Sequence, residues 1–188
     1  MTKRESTENR QRQIADAALK IIAQQGLSRF TTAAIAQEVG ITEGAIFRHF
    51  PSKEAIVLAA IDRVEELFEE GAPSDVGDPL ERLRRFVEHR VRVVHENGGI
   101  PRLVFSDDLS LAAGEVGTAK IAAIRRKAAA KIRRCLEEAQ KQRELPAELD
   151  LDAAALVVQG AVMALVLTRA PRGATSKVWA TIERALRR

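Results

Sequence analysis

Residues 31–46 read Thr31-Thr32-Ala33-Ala34-Ile35-Ala36-Gln37-Glu38-Val39-Gly40-Ile41-Thr42-Glu43-Gly44-Ala45-Ile46, and the punctuation of this stretch decides the fold. Thr31 or Thr32 can accept a hydrogen bond from the open first turn of a helix over residues 33–39. Gly40 ends that helix, because only glycine enters the left-handed conformation of a tight reversal without a Cβ penalty. Thr42 then caps a further helix running to about His49. Ala36 is small where the two helices must cross, and Ile35, Val39, Ile41 and Ile46 supply the apolar contacts that set the crossing angle. The pattern predicts a helix-turn-helix. Two short helices of any small bundle would share single features of it, but the joint spacing is far less common.

Upstream, Ile14, Ala17, Ala18, Ile21 and Ile22 mark one buried helical stripe from about Arg10, stopped by Gly26. Residues 1–9 are polar and are expected to form a mobile arm. Downstream, Pro51-Ser52 breaks the chain and Ser52 caps a longer helix from Lys53 towards Glu70. Residues 71–79 are the one Gly/Pro-dense stretch, read as a connector. Leu80, Leu83, Val87, Val91 and Val94 then form a stripe ending at Asn97-Gly98-Gly99. A shorter helix is expected after Pro101, and a long one is marked by Ile121, Ile124, Ala128, Ile132, Cys135 and Ala139. Two more are expected at 150–169 and 175–187. Strand-like alternation and internal repeats are not seen.

Composition agrees. Of 188 residues, 46% are apolar and 30% charged, Tyr is absent, and the dominant residues are those that lose least rotamer freedom in a helix. The class is therefore all-α. The single Cys135 permits no intramolecular disulfide and suits a reducing, cytoplasmic setting. No apolar core follows Met1–Ser6, so the start does not read as a signal peptide. The apolar run 153–168 is shorter than the roughly 20 residues of a membrane span, and no membrane partner is expected. Residues 1–53 hold eight Lys/Arg against five Asp/Glu, while the other 135 residues hold 22 against 21. That slight excess suits a polyanion near the N-terminus, though a randomly charged surface would also produce it.

From Thr31 to Thr42, and through Gly44-Ala45-Ile46-Phe47-Arg48-His49-Phe50-Pro51-Ser52-Lys53-Glu54, the chain resembles the TetR (tetracycline-repressor-like) family of bacterial transcriptional regulators. The resemblance covers about residues 10–60; beyond it only length and helix count agree. It implies a three-helix DNA-binding head (10–53) after the arm (1–9), joined by a long helix to a larger helical body (54–188) that binds a ligand and dimerises. It further implies that the third helix enters the major groove of double-stranded DNA. Glu43, Gly44 and Ala45 are then expected at base edges. Gly44 and Ala45 allow close approach, and Glu43 either accepts from a cytosine amino group or is simply solvated. Arg48 is the expected strong base or phosphate contact, and His49 and Lys53 are expected to hold phosphates. Thr31 or Thr32 caps the second helix and Thr42 the third; all three are expected at the DNA interface, where one of the first two either adds a phosphate bond to its capping role or only caps. The family usually has Tyr where this chain has Phe47, which keeps the ring and loses the hydroxyl donor. Lys3, Arg4, Arg10 and Arg12 would add charge from the N-terminal side.

Specific reading of a few base pairs demands two copies. The 153–168 helix is apolar on almost every face, which does not suit a monomer's surface, although an entirely internal helix would look the same. A homodimer interface is expected at Val157, Gly160, Ala161 and Ala164, paired with Val178, Trp179, Ile182 and Leu186 of the last helix. An apolar or amphipathic small-molecule effector is expected among Phe86, Val94, Phe105, Ile132 and Met163, each of which is also ordinary core material. No enzyme is expected: His49, His89 and His95 have no zinc spacing with Cys135, and no serine elbow or phosphate loop appears, so no metal or cofactor is implied. The function that follows is a ligand-responsive repressor on a pseudo-palindromic operator. The competing reading is an effector-independent architectural DNA-binding protein.

Overall fold

The computed structural model describes residues 6–27, 30–105, 109–168, 170–171 and 173–187, with backbone alone at 109–111. Among them lie nine helices and no strand: α1 (Thr7–Gln25), α2 (Thr32–Val39), α3 (Glu43–Ile46), α4 (Lys53–Glu69), α5 (Pro79–Glu96), α6 (Gly99–Val104), α7 (Leu109–Lys141), α8 (Leu151–Leu167) and α9 (Ala174–Leu186). Three boundaries differ from expectation. Residues 7–9 are helical rather than part of an arm, because the Ser6 hydroxyl accepts from the Asn9 N–H and caps α1. The third helix is regular only to Ile46, and Phe47–His49 continue as turns. The long helix begins at Leu109 and bends at Gly114, whose φ of 57° lies in the left-handed region.

The chain forms two compact units, one of Met1–Leu67 with Asn97–Ala122 and one of Phe68–Glu96 with Ala123–Arg188. The first therefore reaches beyond the expected 10–53 head. Its core joins Ile14, Ala18 and Ile22 of α1 to Phe30, Ile35, Ile46, and Ile56, Val57, Ala60, Ile61 and Val64 of α4. Burying that face of α4 makes it part of the head. Arg63, 8% exposed, ties α4 to α1 and to its own next turn: Nε donates to Asp16 at 2.7 Å and Nη1 to Glu66 at 3.0 Å. The segment 97–122 joins the same unit through close backbone approach. A Cβ on Gly99 would collide with the carbonyl oxygen of Leu19, so α6 can pack on α1 only with glycine there.

In the second unit α5 packs against α8 and α9, and α8 against α9. Arg82, buried on α5, donates to Glu138 at 2.7 Å and lies 3.8 Å from the buried thiol of Cys135. That bond holds the Glu138 carboxyl below its ordinary range. His89, also buried, must donate through Nε2 to the Phe68 carbonyl at 3.0 Å, since its Nδ1 accepts from Arg92 at 2.9 Å. The Arg90 guanidinium lies 3.8 Å from the centre of the Phe68 ring, so the last turn of α4 is gripped by both its backbone and its side chain.

Candidate nucleic-acid interface

The reversal between α2 and α3 is built by local hydrogen bonds. Thr31 is the cap of α2: its Oγ1 accepts from the Ala34 N–H at 3.2 Å. Gly40 is left-handed at φ 73°, ψ 36°, its N–H reaches the carbonyls of Ala36 and Gln37, and Ile41 N–H reaches Ala36 O at 3.0 Å. Thr42 caps α3 by accepting from Ala45 N–H at 3.2 Å. Ser52 caps α4 through Ala55 N–H at 3.1 Å. Thr32 caps nothing: its hydroxyl donates to Glu43 Oε1, joining the starts of α2 and α3.

Glu43, Gly44, Phe47 and Arg48 are all exposed, and their spacing of one, three and one residues places them on one helical face. Ala45 does not join them. It is 9% exposed and turns inward with Ile46, at 0%, so its expected place at base edges is corrected. The reason is rotational: the side of a one-turn helix that is turned into the buried core cannot also face solvent. Phe47 is 50% exposed, an apolar ring on the outer surface. His49 is half-buried, and its Nδ1 is buried without a hydrogen-bond partner. Gln11, which sequence reasoning missed, donates from Nε2 to the His49 carbonyl at 3.1 Å and anchors the end of this face to α1. A lone polar residue in a helix carries no signal of such a distant partner. Lys53 is exposed, with its ammonium 5.3 Å from the centre of the buried Phe30 ring. Arg10 is half-buried and Arg12 exposed on α1, whereas Lys3 and Arg4 lie outside the described residues.

The residues expected at a dimer interface separate into two groups. On α8, Val157 is 58% exposed, Gly160 and Ala164 are exposed, and Ala161 is half-buried; a Cβ at Gly160 would meet open space. Leu156 (68%) and Leu167 (55%), which the sequence pattern does not single out, complete this apolar stripe, and so does Met163 (45%), which is expected around an effector and instead lies on the outer surface of α8. On α9, by contrast, Trp179, Ile182 and Leu186 are 3%, 8% and 6% exposed, inside the unit's own core, and only Val178 is half-exposed. Those three are a correction: α9 is amphipathic, and its one strong apolar stripe covers its own unit.

Of the other residues expected around a ligand, Phe86, Val94 and Ile132 are buried and Phe105 is 39% exposed. None of the five lines the cleft of about 410 Å³ bounded by Glu88, Val91, Arg92, His95, Glu96 and Thr175, whose walls are about equally polar and apolar. Among the described residues no three His, Cys, Asp or Glu side chains are placed to hold a metal ion, and no helix is long and apolar enough to cross a membrane.

Residues 14–60 match the family model for bacterial regulatory proteins of the tetR family, and residues 76–176 match a tetracyclin repressor-like C-terminal domain. Nucleoid occlusion factor SlmA of Vibrio vulnificus (strain YJ016) is 33% identical over 100 residues, which cover 51% of this chain and 51% of that protein. The chain thus spans about half the length of such curated relatives. AibR, solved in complex with isovaleryl coenzyme A and operator DNA, is similar at a TM-score of 0.75 and 23% identity, covering 94% of this chain and 97% of that one. The fatty acid degradation regulator FadR from Bacillus halodurans gives 0.72 and 20%, covering 98% and 96%. At these identities the two structures establish a shared fold.

Proposed function

The chain belongs to the tetR family of bacterial regulatory proteins, and from that premise we propose that it is a homodimeric repressor, bound to a pseudo-palindromic operator and released by a small amphipathic effector. The observation that carries the reading is the exposed face of Glu43, Gly44, Phe47 and Arg48, presented by a helix whose direction is set by left-handed Gly40. Arg48 supplies the base or phosphate contact. Thr31, His49 and Lys53 hold the backbone, Thr31 because its oxygen caps α2 while its proton stays free.

One such face reads only a few base pairs, so a second copy is needed. The stripe of Leu156, Val157, Met163 and Leu167 beside Gly160 and Ala164 is the surface that a second copy covers. In this reading residues 10–53 carry the DNA contacts, the remainder serves effector and dimer, and the protein works in the cytoplasm, beside its DNA. An acyl-coenzyme A thioester is the first effector class to test. It unites an apolar chain with a charged head, and AibR was solved with isovaleryl coenzyme A.

The decisive experiment is selection of bound DNA from a random pool, followed by titration of the selected complex with isovaleryl- and longer acyl-coenzyme A. A two-fold related pair of half-sites about one helical turn apart or more is expected, with acyl-coenzyme A releasing it. No enrichment at physiological salt would overturn the reading. Specific binding that no acyl-coenzyme A alters would favour the second reading, an effector-independent DNA-organising protein, to which the identity with a nucleoid occlusion factor lends support.

A further inference from the structure

The bond from Thr32 to Glu43 joins the first residue of α2 to the first residue of α3, and it changes what each side chain can do toward DNA. A threonine hydroxyl has one proton to give. Here it goes to Glu43 Oε1, leaving Thr32 only acceptor lone pairs, which a phosphate oxygen cannot use. Thr32 is therefore spent on Glu43 and not on the DNA backbone.

Glu43 stands at the leading end of the exposed face shared with Gly44, Phe47 and Arg48. A carboxylate there repels phosphates and also the acceptors that guanine and thymine present in the major groove. What it can engage are the amino groups of cytosine and adenine. Adenine places its N7 acceptor beside its N6 donor, whereas the major-groove edge of cytosine offers the N4 amino group with no acceptor next to it on the same base. With Oε1 engaged by Thr32, Oε2 is the oxygen left to accept from DNA. An exposed glutamate otherwise samples many rotamers. A bond from a β-branched donor, itself stiff at χ1, narrows that freedom before DNA arrives.

We infer that Glu43 determines specificity by selecting cytosine at one position of each half-site, and that Thr32 is the positioning residue that holds its carboxylate in place. This rests on the operator-binding reading above, but it fails separately from it.

The test uses the full chain and the operator recovered by selection, with competition between operators substituted at each half-site position. The wild-type protein is expected to favour cytosine over thymine at one position by about tenfold or more. Glu43→Ala, at an exposed site, should bind all four substituted operators within about twofold of one another. Thr32→Val keeps the shape and removes the donor, so it should lose most of the discrimination and little of the affinity, and Thr32→Ser should restore it. Base preference unchanged in Glu43→Ala would overturn the role of Glu43. Equal weakening of every operator by Thr32→Val, with preference intact, would overturn the positioning role. A pool in which the wild-type chain enriches nothing overturns the operator-binding reading itself, and this inference with it. An enriched half-site indifferent to Glu43 overturns only the inference.

Discussion

Arg63 and Asp16 are joined by a 2.7 Å hydrogen bond in which the arginine is buried and the aspartate is half in solvent. The asymmetry matters, because removing the arginine strands no buried charge. Arg63→Ala should therefore cost about 1–3 kcal/mol from lost packing and charged hydrogen bonds. Asp16→Asn should cost less, because the amide oxygen still accepts from Nε and Glu66 still pairs with the guanidinium. Thermal unfolding of the two variants tests the order, and a larger loss for Asp16→Asn would refute it.

Gly99 and Gly160 should respond oppositely to alanine. At Gly99 the new methyl meets the Leu19 carbonyl, a backbone group that cannot step aside, and a loss of about 1–3 kcal/mol is expected. At Gly160 it meets nothing within one chain, and helix propensity predicts a gain of up to about 1 kcal/mol in the monomer. If a second copy packs closely on α8, the same substitution weakens the dimer. Sedimentation of Gly160→Ala over a concentration series reads that effect, and an unchanged dimerisation constant would place the interface elsewhere.

Arg48→Ala should weaken binding to the selected operator by about 1–3 kcal/mol and relax preference at one position. A uniform loss across all sequences, with a shallower salt dependence, would instead make Arg48 a phosphate contact.

Phe47→Tyr adds a hydroxyl to a half-exposed ring on the same face. Operator affinity is expected to rise by about three- to tenfold through a new backbone hydrogen bond, with sequence preference unchanged. Fluorescence anisotropy at fixed salt measures it. No gain would mean that the ring edge does not reach a phosphate.

Glu144 gives the pH dependence a definite sign. Burial, and then the hydrogen bond with Asp78, push its carboxyl above the ordinary 4.5, while Arg187 opposes the shift. A folded state that holds this proton more tightly than the unfolded chain is favoured below pH 4.5. That contribution is lost as pH rises through the raised value. Glu81 and Glu138 act the other way: their lowered values, set by bonds to Arg84 and Arg82, favour the folded state above pH 4.5 and fail in acid. Glu144→Gln should accordingly melt higher than wild type at pH 7 and lose that advantage near pH 4. Equal melting shifts at both values would refute the assignment.

The punctuation of the head is set by residues adjacent in the chain. Ser52, Thr42 and Thr31 cap helices, and Gly26 and Gly40 end them, through hydrogen bonds that close within four residues, so neighbours alone settle them. The family resemblance rested on the same residues. Tertiary structure decided which apolar stripe faces which neighbour. A period of 3.6 reveals that α9 has a stripe, but only packing assigns Trp179, Ile182 and Leu186 to their own core and leaves Leu156, Val157 and Leu167 of the evenly apolar α8 in solvent. It also decided that Gly99, which reads as a loop residue, is a point of backbone contact with Leu19, that Gln11 anchors His49, and that Thr32 holds Glu43 rather than capping α2. Each depends on groups 11 or more residues apart, and no local preference encodes a partner at that distance.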